Sequence, residues 1–485
     1  MKKIVATIIV SAFLYPLTAQ YVGQALRFSQ TFPSQTARSL SMGGAFVSLG
    51  GDLSDAYLNP AGLGVYRKSE LTLTPGFGYV KSTADYLNEK GEDYRYHFIF
   101  GNAGYVSAYN SKKDNGLVGV AFSLAYNRLN DFNNNIFIEG HNMNNSLADF
   151  FMDNAEGNHP DNLNAFRERL AFDTYVIDTT PGLSYYGYET PVFLPVDQRK
   201  TIETSGGSGE WSIGFGMNFS HVFYFGMGLG INQLRYKESL VHSEYDYQSL
   251  NDFNNFRFTE TLDLRGVGYT LKLGFIARPV SFLRVGGALH IPTYYNIEEE
   301  YYANMTSLFD NGDSYSASPT YTDGSLIEIG AFEYKLVTPL KAMGGVSFQI
   351  GKTGLVAADI EYVDYSNIRY RNKDSYDDMS DFNRDIQEAY KAVLNIKAGG
   401  EMRFGPLSVR AGGGYYPSPY ATGELNENAD YIEISGGVGY RDRNFFIDMG
   451  LSTILHDEKY SLYYNNITDL QLNRYRFLTT FGFRF

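Results

Sequence analysis

The C-terminal stretch of the chain reads Asn473-Arg474-Tyr475-Arg476-Phe477-Leu478-Thr479-Thr480-Phe481-Gly482-Phe483-Arg484-Phe485. Positions 475, 477, 481, 483 and 485 are aromatic, whereas the even positions carry mostly Arg, Thr or Gly. Because successive side chains of a β-strand point to opposite faces, the stretch predicts a strand with one aromatic and one polar face. The aromatic face would be buried in a soluble sandwich and would face lipid in a membrane barrel.

The same alternation recurs upstream, which helps to separate those two cases. Large apolar residues alternate with small or polar ones in four further segments, 118–126, 211–220, 269–275 and 445–452. The second faces are rich in Gly, Ser and Ala, whereas a soluble surface would carry more Lys and Glu. This pattern favours a barrel whose large side chains face lipid.

The connections between these segments alternate between short and long. Tight turns are predicted at 218–221, 278–281, 405–406 and 441–443. Long polar joins are predicted at 83–93, 129–207, 241–256, 296–326, 371–390, 419–428 and 458–471. Counting from Ser69 to Phe485 gives about fourteen strands, an even number. The sequence therefore predicts an all-β fold, a transmembrane antiparallel β-barrel over 69–485.

Composition narrows the function classes. The chain has 41 Tyr, 35 Phe, 50 Gly and no Cys among 485 residues, and its formal net charge is −14. The lack of Cys excludes disulfides, thiolate zinc sites and thiol nucleophiles. A net negative chain is a poor nucleic-acid binder, because such binding rests on neutralising phosphates.

The N-terminus has the order of a secretory signal peptide. Lys2 and Lys3 precede an apolar run over 4–14, Pro16 follows, and Ala19 precedes a predicted cleavage before Gln20. The alternative is an N-terminal membrane anchor, but the run is shorter than the roughly 20 apolar residues that a span needs. We expect residues 1–19 to be removed on export.

The longest join, 129–207, contains helical patterns. Leu163, Phe166 and Leu170 share one helical face, as do Leu147 and Phe150 or Phe151 in the preceding stretch. One interpretation is two loop helices that pack on each other. The other is an apolar patch at the barrel mouth that captures a hydrophobic ligand.

Residues 20–68 precede the first strand and do not alternate like the strands. They contain Ser41-Met42-Gly43-Gly44-Ala45-Phe46-Val47, then Asp52-Leu53-Ser54-Asp55, then Asn59-Pro60-Ala61-Gly62-Leu63. The paired glycines 43–44 and 50–51 allow positive φ and close backbone approach. Asp52 suits a short helix start, and Asn59-Pro60 is expected to force the chain out of that helix.

These three motifs resemble those of the FadL-type (FadL/TodX) outer-membrane transporters of long-chain fatty acids and other hydrophobic molecules. Further resemblance lies in 338–346 and 359–366, and Phe485 resembles the C-terminal signal that barrel-insertion machinery reads. The resemblance implies a hatch, residues 20–68, that plugs a fourteen-stranded barrel. It also implies passive uptake from the outer loops, past the hatch, and sideways through a gap in the wall.

The resemblance and the alternation together suggest site residues. The predicted gating residues of the hatch are Asn59, Pro60, Ala61, Gly43 and Gly44. Predicted apolar ligand contacts are Phe46, Leu49 and Leu53. Lumen-facing bases that could meet a cargo carboxylate are Lys272, Arg284, Lys397 and Arg410. The alternative for these bases is salt bridges to Asp359, Glu361 or Glu401. The stretch 101–104 interrupts a strand and predicts a β-bulge, which is either a simple adjustment of the strand twist or a candidate place for the wall gap.

The expected partners are a hydrophobic small molecule, outer-membrane lipid and lipopolysaccharide, and the insertion machinery at Phe485, with no nucleic acid and no cofactor. None of the seven His sits in a nucleophile or metal spacing, and Gly-x-Ser-x-Gly is absent from the sequence. An enzyme is therefore not expected. A second class stays open, because some hatch-bearing barrels of this architecture serve type IX protein secretion, and a shared fold does not separate the two roles.

Overall fold

The computed structural model describes residues 14–111, 113, 115–180, 186–248, 250–319, 330–351, 353–372 and 379–485, with side chains from Tyr21 onward. Residues 1–13 and the side chains of 14–20 lie outside this description, so the signal peptide stays a prediction. Parts of two predicted joins, 320–329 and 373–378, also lie outside it. No helix among the described residues is both long and apolar enough to cross a membrane.

Fourteen antiparallel strands form a closed barrel, as the alternation predicted. The first and last strands pair from Glu70 opposite Arg484 to Asp85 opposite Asp469, which leaves no open edge between them. In chain order the strands are β1 (Glu70–Tyr86), β2 (Glu89–Asn110), β3 (Leu117–Asp131), β4 (Asn134–Asn142), β5 (Asp178–Thr179), β6 (Tyr188–Glu189), β7 (Val196–Phe219), β8 (Phe223–Asp246), β9 (Phe253–Val280), β10 (Leu283–His290), β11 (Tyr294–Phe309), β12 (Ser314–Ala317), β13 (Gly330–Val337), β14 (Lys341–Ile350), β15 (Gly354–Asp364), β16 (Arg369–Asn372), β17 (Ala392–Phe404), β18 (Leu407–Tyr416), β19 (Tyr431–Arg441), β20 (Phe445–Ser461) and β21 (Ile467–Arg484).

Several of these segments are parts of one wall strand. Short breaks divide β3 from β4, β10 from β11, β13 from β14 and β15 from β16. β12 only extends β11 as a hairpin, and β5 pairs with β6 in an outer loop. The remaining strands run through the wall without a break.

The aromatic faces point outward, as predicted. In β21 the exposed fraction is 43% for Phe477 and 56% for Phe483, whereas it is 6% for the lumen-facing Arg476 and 1% for Thr480. Trp211 of β7 and Tyr269 of β9 are also exposed. An outer surface of large apolar side chains around a polar interior is what a transmembrane barrel presents to lipid.

The tight turns lie where they were predicted, but the strands run further into the long joins than expected. The predicted join 83–93 shrinks to Leu87-Asn88, both with positive φ. The predicted join 129–207 contains the end of β3, all of β4 and the start of β7, so the loop is only 143–195. Beyond the lipid the outward residues become polar, and the aromatic alternation that marks a strand disappears.

The hatch contains the end of helix α1 (Leu14–Ser29) and helix α2 (Ala37–Ser41), and the described part of the 143–195 loop holds two short helices, α3 (Leu147–Ala155) and α4 (Glu168–Asp173). Leu147, Phe151 and Leu170 share one buried cluster with residues from the outer ends of β9 and β11. The two helices pack together, as the first interpretation predicted, but Leu163 and Phe166 precede α4, so only Leu170 of that predicted face is helical.

The hatch lies inside the lumen. It contains the end of α1 (Leu14–Ser29), α2 (Ala37–Ser41) and two 3-10 helices, Leu53–Ala56 and Pro60–Val65. Asp52 caps the first 3-10 helix, and Asp55 completes a capping box. Asn59-Pro60 does more than end that helix, because Asn59 caps the second one.

Outside the hatch, a fifth helix, α5 (Ser380–Ala389), packs against α1.

Candidate functional site

The Asn59 side chain forms hydrogen bonds both within the hatch and with the barrel wall. Its side-chain Nδ2 donates to the Val47 carbonyl at 2.6 Å and to the Phe275 carbonyl of β9 at 3.1 Å. Its Oδ1 accepts the Ala61 N–H at 3.1 Å. The side chain is fully buried, so losing it would remove a hydrogen-bond donor from the Val47 and Phe275 carbonyl groups at once.

Glycines in the wall make room for the hatch backbone. A Cβ at Gly226 of β8 would lie 2.1 Å from the Pro60 carbonyl carbon, and one at Gly274 of β9 would lie 1.9 Å from Asn59 Oδ1. At Gly412 of β18 a Cβ would lie 2.2 Å from the Met42 carbonyl carbon. These distances are far below van der Waals contact, so the hatch and the wall are packed backbone to backbone.

The predicted glycine pair of the hatch lies in the same packed layer. Gly43 and Gly44 have φ of +64° and +71°, a region that L side chains rarely adopt. The Gly43 N–H donates to Ser435 Oγ at 3.0 Å, and a Cβ there would lie 2.5 Å from the Gly413 amide nitrogen. Gly43 therefore needs both its conformation and its missing side chain.

The three predicted apolar contacts do not share a cavity. Phe46 and Leu53 are completely buried in two separate hatch–wall clusters. Leu49 lines a cavity at the short-turn end of the barrel. As placed, they pack the hatch, and their contact with a ligand stays a prediction.

Three of the four predicted bases are in ion pairs, which was the alternative given for them. Lys397 pairs with Glu361 at 3.3 Å, and Arg410 pairs with Glu401 at 2.7 Å. Lys272 is paired with an acid that the sequence did not single out, Glu210. Arg284 instead donates to the carbonyl of Leu49 in the hatch. Asp359, the third predicted acid, accepts the Val47 N–H of the hatch at 2.8 Å.

Buried charge is also present in the hatch itself. Burial raises the pKa of the Asp55 carboxyl well above its usual range, and the neighbouring Asp52 raises it further. Asp55 Oδ2 still accepts the Asp52 N–H at 3.0 Å. A carboxyl group held this way favours its neutral form, which costs less to keep in a dry plug.

A large space in the lumen lies above the hatch, toward the long loops. It is a cavity of about 630 Å³, hereafter the outer cavity, with the end of α1 on one side and the 143–195 loop over it. Its apolar lining includes Phe32, Phe132, Phe150, Phe151, Phe258 and Leu472. None of the four predicted bases is among its lining residues in the described part of the chain.

Two cations at the outer cavity were missed from the sequence. Lys200 of β7 is 8% exposed, and its Nζ lies 5.1 Å from the centre of the Tyr460 ring. Arg474 of β21 donates to the Asp131 carbonyl at 3.4 Å, and its charge also acts on Glu458, which lines the same cavity. Neither forms an ion pair within the described ranges, whereas Arg167 at the same cavity pairs with Glu260 at 3.5 Å. Lys200 was missed because it lies in the part of β7 that was interpreted as loop.

The barrel wall has a seam between β2 and its neighbour. β2 pairs with β3 only from Asn102, opposite Asn127, to Asn110, opposite Gly119. Toward the long loops β2 continues against β1, while β4 pairs with β7. The β1–β2 register skips Gly101, which confirms the predicted β-bulge.

Polar contacts hold the two sides of the seam together. Arg95 of β2 donates to Asn135 Oδ1 of β4 at 2.9 Å, and His97 Nε2 lies 3.2 Å from Asp131 Oδ1. The Ser82 hydroxyl of β1 donates to the Asn135 carbonyl. Side chains, not a backbone ladder, therefore join the wall here.

Backbone N–H groups of the hatch bond to carbonyl groups of β3 at the point where β3 no longer pairs with β2. Phe32 N–H donates to the Leu129 carbonyl at 3.0 Å, and Ser34 N–H donates to the Arg128 carbonyl at 3.1 Å. A Cβ at the bulged Gly101 would lie 2.7 Å from the Ser34 carbonyl oxygen. The hatch and the seam are thus joined at residues 32–34.

Solved structures with the same architecture include a FadL homologue and a toluene transporter. The chain resembles a Pseudomonas aeruginosa FadL homologue with a TM-score of 0.57 and 12% identity, over 94% of this chain and 99% of that one. It also resembles the P. putida toluene transporter TodX with a TM-score of 0.52 and 11% identity, over 93% of this chain and 98% of that one. No family model matches the sequence, and the curated proteins include no match. The likeness shows that the fold is that of the FadL-type barrels.

Within the described residues, no group of three or more His, Asp or Glu side chains is placed to hold a metal ion.

Proposed function

We propose that this protein is an outer-membrane channel for the passive uptake of hydrophobic molecules such as long-chain fatty acids. The observation that carries the proposal is the outer cavity, a space of about 630 Å³ lined by Phe, Leu, Ile and Tyr side chains together with charged groups, inside a barrel that holds the hatch below it. A volume of this order suits one small hydrophobic ligand. The solved structures of the same fold, which include a FadL homologue and a toluene transporter, support the same class of cargo.

The first step is transfer from the outer surface into the cavity. A hydrophobic solute crosses the polar lipopolysaccharide layer poorly, and an apolar protein cavity lowers that barrier. Phe150 and Phe151 of α3 lie at the boundary between the loop cluster and the cavity. We assign to them the capture of the ligand.

The second step is the release of the hatch and exit through the seam. Residues 32–34 of the hatch hydrogen-bond to β3 where β2 has left it, so a shift of the hatch frees the edge of β3. Only side-chain contacts such as Arg95 with Asn135 then close the wall. A ligand from the outer cavity can leave sideways into the membrane at this point, and no energy source is needed.

A cargo with a carboxylate would be held by Lys200 and Arg474. Both reach the outer cavity and neither forms a direct ion pair among the described residues, although Glu458 lies near Arg474, so a cargo carboxylate would supply a direct partner. Asn59, Pro60 and Ala61 keep their proposed gating role, because Asn59 links the hatch to β9.

The test is uptake into liposomes that contain the purified full-length protein and carry lipopolysaccharide in the outer leaflet, because that layer is the barrier which the channel bypasses. A fluorescent long-chain fatty acid should enter the protein-bearing membrane faster than empty liposomes take it up, while a polar dye of similar size should not cross. Mass spectrometry of the gently extracted protein should find a retained hydrophobic molecule. Equal rates with and without protein, together with co-purification of surface proteins that bear sorting domains, would instead assign the barrel to secretion.

A further inference from the structure

A second cavity lies at the short-turn end of the lumen, between the hatch and the wall. It has a volume of about 370 Å³ and is hereafter the vestibule. Seven cationic side chains line it: Arg38, Arg67, Lys68, Arg284, Arg403, Arg441 and Arg484. No Asp or Glu is among its lining residues in the described chain. The whole protein carries 54 acidic and 40 basic side chains, so this concentration of one sign is unexpected.

The acids that compensate this charge are few and lie behind the arginines. Glu401 alone pairs with Arg38 at 2.9 Å, with Arg403 at 2.6 Å and with Arg410 at 2.7 Å. The Glu401 side chain is only 1% exposed, so the guanidinium groups stand between it and the cavity.

The other two acids are arranged in the same way. Asp448 pairs with Arg410 and, at 3.8 Å, with Arg441, while Glu70 pairs with Arg484 at 2.7 Å. Both carboxylates are 2% exposed. Arg67, Lys68 and Arg284 form no ion pair in the described part of the chain. The vestibule therefore carries uncompensated positive charge.

We propose that the vestibule binds a phosphate-type oxyanion. Arginine presents a planar fork of donors that matches phosphate, and several arginines around one cavity can each supply such a pair of bonds. A cleft lined by one sign of charge also concentrates counter-ions. Ser281, Ser347 and Thr353 add neutral hydroxyl donors to the same lining.

The bound anion acts on the hatch, because the two halves of the site come from different parts of the chain. Arg38, Arg67 and Lys68 belong to the hatch, whereas Arg284, Arg403 and Arg441 belong to the wall. An oxyanion between them removes their mutual repulsion and joins the hatch to the barrel. Occupancy therefore stabilises the closed hatch from the side opposite to the outer cavity.

Two sources carry this chemistry. One is free phosphate in the compartment that the short turns face, and the other is the headgroup phosphate of a phospholipid in the adjacent leaflet. Phe282 lines the vestibule and is 55% exposed, which places apolar surface beside the cationic site. Both sources present the same tetrahedral oxygens to the arginines.

The experiment uses the full-length protein in a neutral detergent, titrated with sodium phosphate in a calorimeter, with sodium chloride at matched ionic strength as reference. We expect saturable phosphate binding and a rise in the unfolding temperature that chloride does not reproduce. The double variant Arg67→Gln with Lys68→Gln should weaken phosphate binding about tenfold. Both side chains are exposed, so this variant should fold normally.

Two further variants decide how the site works. Arg284→Lys keeps the charge but removes the planar fork, and we expect binding between that of the wild type and that of the double variant. Lys335→Gln is the control, because Lys335 is exposed on β13, away from the vestibule. Absence of saturable phosphate binding, or a double variant that binds like Lys335→Gln, would overturn the proposal.

The source is decided in nanodiscs. If free phosphate is the ligand, phosphate raises the unfolding temperature equally in discs of a phosphate-free galactolipid with and without phosphatidylglycerol. If a lipid headgroup is the ligand, phosphatidylglycerol alone gives the rise, and added phosphate has no further effect. A rise from neither overturns the proposal. Uptake of hydrophobic molecules is a separate assay, so the two proposals can fail independently.

Discussion

The lower and upper halves of the lumen are built in opposite ways. Around the hatch, wall glycines such as Gly226 and Gly412 allow backbone-to-backbone packing with no room for a methyl group. Above the hatch, rings such as Phe132 and Phe258 surround a cavity of about 630 Å³. The difference shows that the hatch is a fitted plug fixed by main-chain geometry, whereas the outer cavity depends on its side chains. Changes in the lower half should therefore affect sealing, and changes in the upper half should affect the choice of ligand.

The largest effect is expected from locking the hatch to the seam. Ser34 and Arg128 form an isolated antiparallel bridge, in which paired Cα atoms lie roughly 4.5–5.5 Å apart, a separation that suits a disulfide. Because the chain has no Cys, Ser34→Cys with Arg128→Cys introduces a single defined pair. We expect hydrophobic uptake to stop on oxidation and to return on reduction.

The control for this lock is a disulfide within the wall. Val409 and Val438 are paired on β18 and β19, and both face outward. Val409→Cys with Val438→Cys should leave uptake unchanged in either redox state. Uptake that continues through an oxidised 34–128 disulfide would remove hatch movement at the seam from the mechanism.

The next effect concerns the fit of the hatch. Gly226→Ala places a methyl group against the Pro60 carbonyl carbon, and overpacking of this kind costs about 1–3 kcal/mol. We expect the hatch to shift and the barrel to leak small ions, measured as conductance in a planar bilayer. Gly344→Ala is the matched wall control, because its Cβ would meet only Ile360 Cγ1 at an ordinary 3.7 Å. Equal conductance of the two variants would show that the fit at Pro60 is not needed for sealing.

A smaller effect on uptake is expected from removing the hydrogen bonds of Asn59. Asn59→Ala with Pro60→Ala leaves the Val47 and Phe275 carbonyl groups without this donor, at a cost of about 1–3 kcal/mol to the closed hatch. Uptake should change while the heat-modifiable gel mobility of the barrel stays intact. If uptake equals that of the wild type, Asn59 and Pro60 have no part in gating.

The smallest effect is expected from changing the two cations of the outer cavity, in the upper half of the lumen. Lys200→Gln with Arg474→Gln should weaken binding of a fatty acid about tenfold and leave binding of a neutral hydrocarbon unchanged. Fluorescence displacement with the two ligand types measures the difference. Arg167→Gln is a useful comparison, since Arg167 lies at the same cavity but already pairs with Glu260. A loss shared equally by both ligand types would mean that the two cations only support packing.

The sequence predicted the structural features that the membrane environment determines within single strands. Lipid outside and a polar lumen inside force the period-two alternation seen in 473–485, so the strands, their even number and the Gly101 bulge could be predicted. The outer ends of the strands could not, because water replaces lipid there and the aromatic signal is lost. Lys200 was missed for that reason.

The pairing of buried charges was also only partly predictable. Alternation correctly placed Lys272 on the lumen side, but its partner Glu210 lies on β7, and the two strands are brought together only by the register of β7, β8 and β9. The hatch motif predicted the glycine conformations. It could not predict which wall glycines face the hatch, since those contacts depend on the curvature of the closed barrel.

The most direct test of the central claim is the planar-bilayer conductance of the full-length protein against a variant lacking residues 20–66, with heat-modifiable mobility confirming that both barrels are folded. The full-length protein should show no steady ion current, and the variant should conduct small ions freely. Equal currents from the two folded proteins would contradict the claim that the hatch closes the lumen.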